Sequence, residues 1–232
     1  MKVFVKVKNI VLDAVFPHQC ICGKLDSILC EECLEKIPRN KTQLCPKCKK
    51  ISENGKTCSS CRQKSSLTGV MIFGDHEGAL KDAIWRYKYY LIRDLDRPLS
   101  KLLVSRFGDY IKSKNLLITS VPISKSRQRW RGFNQSELMA TKLSDELGLV
   151  SSVLLRRNGK SKSQVGLTRK ERIKNLSGGF GLQESIDKKF LLNKKILIVD
   201  DVYTTGSTLE ECAKTLRQSG AREVWGIVLT RD

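Results

Sequence analysis

Eight of the nine cysteines in this chain fall between Cys20 and Cys61, and they fall in pairs. The pairs are Cys20 with Cys22, Cys30 with Cys33, Cys45 with Cys48, and Cys58 with Cys61, three of them spaced CxxC. A tight turn of that spacing aims two thiolates at one tetrahedral ion. A second such turn a short loop away completes four sulfurs around zinc at ~2.3 Å. Two zinc sites are implied, most simply in sequential groups, with seven residues between the first two pairs and nine between the last two. An interleaved grouping is less economical. Cys20-Ile21-Cys22 is one residue short, so the first site is open to strain and His18 is an alternative ligand there.

Metal is expected here, not disulfides. Met1 to Phe16 is interrupted by Lys2, Lys6, Lys8 and Asp13, so it lacks a secretory apolar core, and no stretch reaches the ~18 apolar residues of a membrane span. A cytoplasmic chain is expected, and thiols in a reducing compartment bind metal. Residues 1–66 therefore read as a zinc-binding domain, its ions either replacing a core too small to fold alone or building a surface for nucleic acid or a protein. Residues 67–232 are long enough for a second domain of common size.

The formal charge is +19, and most of the excess lies between residues 67 and 194. Such a balance favours polyanionic partners, whether nucleic acid, an anionic membrane surface or a phosphorylated small molecule. Along the body, short apolar runs alternate with helical periodicity. Gly69 to Gly74 reads as a strand, Ala79 to Tyr89 as a helix, and a second helix is expected after Pro98, ending at Asn115. Leu116 to Pro122 reads as a buried strand, and Ser136 to Leu147 as a helix closed by Gly148. Lys195 to Val199 is a strand, Ser207 to Gln218 a helix and Val224 to Thr230 a final strand. Residues 157–181 carry five glycines and many charges, the composition of a mobile segment. The alternation predicts an α/β fold with a mainly parallel sheet, whose ligands bind beyond the carboxyl ends of the strands.

The most informative stretch is Ile196 to Thr208. Four aliphatics make a buried strand that delivers Asp200 and Asp201 to the sheet's open edge with no cation beside them in sequence. Sugar hydroxyls or a magnesium ion would satisfy their oxygens. Thr204-Thr205-Gly206-Ser207-Thr208 then opens a helix, offering amides, hydroxyls and the positive dipole end to a phosphate. The bland alternative is a strand end followed by an ordinary helix cap. Upstream, Arg127, Arg129 and Arg131 alternate before Gly132, a spacing that aims all three to one side if the segment is extended. They suit a diphosphate or a nucleic-acid backbone, with Arg169 and Arg172 adding charge further on. Phe133 is a candidate for stacking on a base, and Asn134 and Gln135 for hydrogen bonds to a base edge or sugar. The alternative makes the arginines a solvated face, Phe133 core and Asn134 a helix cap. Lys88 and Tyr89 are explained equally well by packing.

The segment 196–208 resembles the phosphoribosyl pyrophosphate (PRPP) signature of type I phosphoribosyltransferases. The resemblance implies that Asp200 and Asp201 bind the ribose hydroxyls and that the loop Thr204, Thr205, Gly206, Ser207, Thr208 holds the 5′-phosphate, with Val202 and Tyr203 also in the PRPP site. Val121-Pro122 is similar to that superfamily's pyrophosphate loop. The cysteine head, Lys88-Tyr89, Val121-Pro122, Arg131 to Ser136, and the Gln164, Arg169, Arg172, Asn175 series together resemble the ComF family of ComFC-like and GntX-like proteins, with the shortened first cysteine pair as the departure. That family implies a double zinc ribbon joined to a phosphoribosyltransferase domain, with PRPP and magnesium as ligands. It implies a role in DNA uptake during natural transformation, with single-stranded DNA and a helicase or DNA-processing protein as partners. If transfer occurs, Asp200, Asp201 and Arg131 are the catalytic candidates, and a salvage phosphoribosyltransferase acting on a free base is the alternative reading.

Overall fold

A computed structural model describes residues 19–25, 27–40, 42–158 and 178–231. His18 and the Gln164, Arg169, Arg172, Asn175 series lie outside the described residues, as does most of the segment read as mobile.

The body is a four-stranded parallel sheet in the order β1-β6-β5-β2, formed by β1 (Gly69–Asp75), β2 (Leu117–Ser120), β5 (Lys195–Tyr203) and β6 (Glu223–Arg231). Its strands read as unbroken apolar runs because both faces are covered. On β5, Leu197 and Val199 enter one apolar cluster while Ile196 and Ile198 enter the other. The first cluster packs α2 (Gly78–Trp85), α3 (Asp96–Lys114) and α5 (Gln135–Leu147); the second packs α7 (Ser207–Gln218).

Several elements depart from expectation for identifiable reasons. Helix α3 begins before Pro98, which sits in the first turn where an N–H has no intrahelical partner to lose. Asn115 ends it in the left-handed region at φ 49°. Helix α2 passes into a π-helical turn, Arg86–Tyr90, that closes on Leu91 at φ 59°. A short helix α4 (Lys125–Arg131), capped by Ser124 and ended by Gly132, occupies the segment expected to be extended. An antiparallel pair, β3 (Leu155–Arg157) and β4 (Phe180–Leu182), and a four-residue helix α6 (Lys188–Leu191) were not anticipated. Each is too short to carry a periodicity.

The cysteine head is fused to the body. Among its described residues the one α-helix is α1 (Glu31–Glu35), and its Cys20, Leu29, Cys30, Cys33 and Ile37 join the first apolar cluster. It also covers the outer edge of β1. The Gln43 side chain accepts from Ile72 N and donates to Ile72 O, both at 2.8 Å, and Asn40 N donates to Phe73 O. Backbone groups that would otherwise template another strand are thereby satisfied.

Candidate functional site

Register builds the crevice. Strand β2 stops at Ser120, opposite Val199, whereas β5 continues beside β6 as far as Tyr203. Val121 and Pro122 therefore leave the sheet where Asp200 and Asp201 emerge, and all four line one cavity of about 440 Å³. The strand thus runs through the acidic pair instead of ending before it.

The missing cation comes from a distant segment. Lys88, on the π-helical turn, places Nζ 2.8 Å from Asp201 Oδ1. Asp200 Oδ1 accepts from Ser136 Oγ and from the Asp201 N–H, both at 3.0 Å, with Ser136 in the first turn of α5 where the helix dipole favours an anion. Burial and the Asp201 charge push the Asp200 carboxyl up to about 7, against the pull of Lys88 and these hydrogen bonds.

The hydroxyl-rich loop follows at once. Thr205 Oγ1 lies 2.7 Å from Ser207 Oγ and accepts from Ser207 N, while Thr204 and Thr208 line the cavity. Gly206 stands at the N-terminus of α7 with φ 78°, and a Cβ there would collide with the Tyr203 ring. Tyr203 itself faces away from the cavity. It is 4% exposed, and its hydroxyl donates to Pro46 O at 3.0 Å, so its side chain belongs to the join with the head.

The opposite wall is basic. Lys88, Arg127, Arg131 and Arg157 all line the cavity, outnumbering its two carboxylates. Because α4 is a helix, Arg127 and Arg131 share a face at i and i+4, and Arg129 projects elsewhere and is absent from the lining. The condition under which all three arginines would point one way, an extended segment, is thus not met. Arg131 Nη1 donates to Gln135 Oε1 at 3.0 Å, while its buried Nε has no protein partner. Burial lowers the basicity of both Arg131 and Arg157, and the Asp201 charge offsets this at Arg131.

Of the three residues after Gly132, Phe133 and Asn134 are structural and Gln135 lines the cavity. Phe133 is 6% exposed, packed beside Tyr87 and under the Arg93 guanidinium, leaving no free face for a base. Asn134 is buried and donates to Val121 O at 3.0 Å, holding the β2 exit loop against the start of α5. Buried Gln135 accepts from Tyr87 Oη through its carbonyl. The packing reading thus describes Phe133 and also Asn134, which sits at the cap position but braces a loop, whereas Gln135 lines the cavity and its Oε1 accepts from Arg131. Lys88, Ser136 and Arg157 are site residues that the sequence reading left open or missed. The demand of two adjacent carboxylates for a cation was the one available signal for Lys88.

The cysteines form two sequential groups, Cys20/Cys22/Cys30/Cys33 and Cys45/Cys48/Cys58/Cys61, with all Sγ atoms of a group within 4.8 Å of one another. Tetrahedral bonds of ~2.3 Å to zinc require sulfurs ~3.8 Å apart. Cys22 to Cys30 is 3.7 Å and Cys48 to Cys58 is 3.6 Å, so both groups can hold zinc, and the shortened first pair fits without His18. Interleaving is thereby excluded. Against burial, which acts the other way, backbone N–H groups of Cys22 and Cys30 bring Cys20 down to about 6. Each group thus contains a thiol ready to lose its proton, since Cys58 also falls to about 6 beside Ser60 and Cys61.

Comparison with known proteins agrees with this architecture. The family model described as "Phosphoribosyl transferase domain" matches residues 113–232. "Competence protein F" of Haemophilus influenzae is 30% identical over 220 residues, covering 85% of this chain and 95% of that protein. "Competence protein ComFC" of Streptococcus pneumoniae is 31% identical over 89% of each chain. "DNA utilization protein YhgH" of Escherichia coli is 30% identical over 87% of this chain and 90% of that protein. Similarity at this level extends over most of the chain, and the chain belongs to the ComF family, with a phosphoribosyl transferase domain over residues 113–232.

Proposed function

We propose that the crevice binds PRPP and that the protein handles single-stranded DNA in DNA uptake. The observation that carries the first part is that Asp200 and Asp201 line one cavity with Thr204 and Thr208 of the hydroxyl-rich loop and with Lys88, Arg127, Arg131 and Arg157. The carboxylates accept from the ribose hydroxyls, and the amides and hydroxyls at the mouth of α7 take the 5′-phosphate. Val121 and Pro122, with Arg127, Arg131 and Arg157, face the diphosphate, where the cavity carries its excess of positive charge. Magnesium, when bound, neutralises part of that diphosphate charge.

Lys88 changes partner in this reading. In the free protein it neutralises Asp201. Once ribose hydroxyls hydrogen-bond to that carboxylate, the lysine is available to a phosphate oxygen, so the basic wall strengthens as the ligand arrives. The DNA half of the proposal is supported by the relatives named for competence and DNA utilization and by the +19 charge.

Titration calorimetry with PRPP and magnesium tests the site. Wild-type protein is expected to show saturable binding, and Asp200→Asn combined with Asp201→Asn to abolish it. Equal heats for the two proteins would remove the acidic pair from the proposal. The same samples, supplied with single free bases and assayed for pyrophosphate release, report whether transfer accompanies binding.

A further inference from the structure

We propose that Trp85, Tyr89, Tyr90 and Trp130 form a stacking platform for the bases of single-stranded nucleic acid along the rim of the crevice. The inference rests on the DNA half of the proposed function and gives it a site. All four rings are between 51% and 63% exposed, an unusual state for side chains of this size. They form a continuous row: Tyr90 lies 5.0 Å from Trp85, Trp85 lies 5.9 Å from Tyr89, and Tyr89 lies 6.3 Å from Trp130, centroid to centroid.

The π-helical turn makes the row. Hydrogen bonds spaced i to i+5 widen the turn, so residues four and five positions on both flank Trp85, where an α-helix would bring round only the third and fourth. Tyr89 and Tyr90 are thus both brought beside Trp85. Trp130 reaches them from α4, a second element.

Charge selects the occupant. The Arg131 guanidinium lies over both Tyr89 and Trp130, at 5.8 and 5.6 Å from the centroids. Trp85 and Tyr89 also line the crevice together with Lys88, Arg127 and Arg131. Cations interleaved with exposed rings match an alternation of phosphates and unstacked bases. Aliphatic side chains, which a protein partner would also engage, are exposed elsewhere, as at Leu25, Ile51 and Val150. Four rings in a row present more π-face than one free base can cover, so the ligand is a strand.

Tyr90 and Trp130 do not line the crevice and are the positions to replace. Binding of fluorescent oligo(dT) is expected to weaken ~5-fold or more with either Tyr90→Ala or Trp130→Ala, in line with the usual loss of a base–aromatic stack. Melting temperature and the PRPP calorimetry should stay at wild-type values. Oligo(dT) should also quench the tryptophan emission of the wild-type protein, because Trp85 and Trp130 are exposed while Trp225 is buried. Oligonucleotide affinity that is unchanged when Tyr90→Ala and Trp130→Ala are combined would overturn the platform, assign the patch to a protein partner and leave DNA binding standing. A wild-type protein that binds no oligonucleotide would overturn DNA binding, and the platform with it.

Discussion

Asp200 titrates in an unusual range because two carboxylates emerge side by side from a buried strand. Its folded value of about 7 lies above the ordinary 3.8, so the folded state holds this proton more tightly than the unfolded chain does. The stability it contributes is complete below about pH 4 and is lost as pH rises through about 7. Asp200→Asn removes that dependence. The variant's advantage in urea unfolding is expected to grow from pH 5 to pH 7 by about 1 kcal/mol per unit and then level off. A difference that stays flat across this range would show that Asp200 ionises as an ordinary carboxylate. Residues of this kind were legible in the sequence because the acidic pair and the hydroxyl loop sit in one contiguous run. Lys88 was not, since the contact that neutralises Asp201 arises only when the π-helical turn folds over the end of β5.

At the level of elements, backbone state decides what a charge pattern means. Arg127, Arg129 and Arg131 would share a side in an extended segment, but the Ser124 cap and the left-handed Gly132 enclose one short helix. Two of the three then face the cavity. Arg127→Ala and Arg131→Ala are each expected to weaken PRPP binding about 10-fold or more, the usual loss for a charge-assisted hydrogen bond, with Arg129→Ala within about 2-fold of wild type. Calorimetry on the three variants checks this, and equal losses at all three would indicate that net charge, and not helix geometry, governs the site. The long elements were readable for the opposite reason. Helix α5 has a full apolar stripe and a terminal Gly148, and β5 a run of four aliphatics, so local pattern and tertiary burial agree. β3, β4 and α6 are held by contacts with other segments and leave no such pattern.

In the whole molecule, the turn of the second cysteine group contacts Tyr203, which precedes the loop 204–208. Pro46 lies within the Cys45–Cys48 turn and Lys49 follows it; Pro46 O accepts from the Tyr203 hydroxyl, and Lys49 Nζ lies 4.6 Å from the centre of its ring. Gly206 closes over the other side of that ring, and Ser65 Oγ donates to Glu210 in the first turn of α7 at 2.8 Å. The mouth of α7 is therefore braced from beneath by the head. No periodicity or motif announces this, because each contact joins segments far apart in the chain, and the reading of two separate domains passed over it. A head that serves only as a folding staple would leave PRPP affinity untouched as long as its metal is retained. A head that positions the loop would not. Tyr203→Phe keeps the ring against Gly206 and removes the hydroxyl that donates to Pro46 O and accepts from Lys49 Nζ, at a cost of about 1 kcal/mol in stability. It is expected to retain both zinc ions by metal analysis while weakening PRPP binding several-fold, and chelation of zinc from the wild-type protein should weaken that binding further. Wild-type affinity in a fully metallated Tyr203→Phe protein would show that the loop keeps its shape without the hydroxyl's grip on the zinc turn.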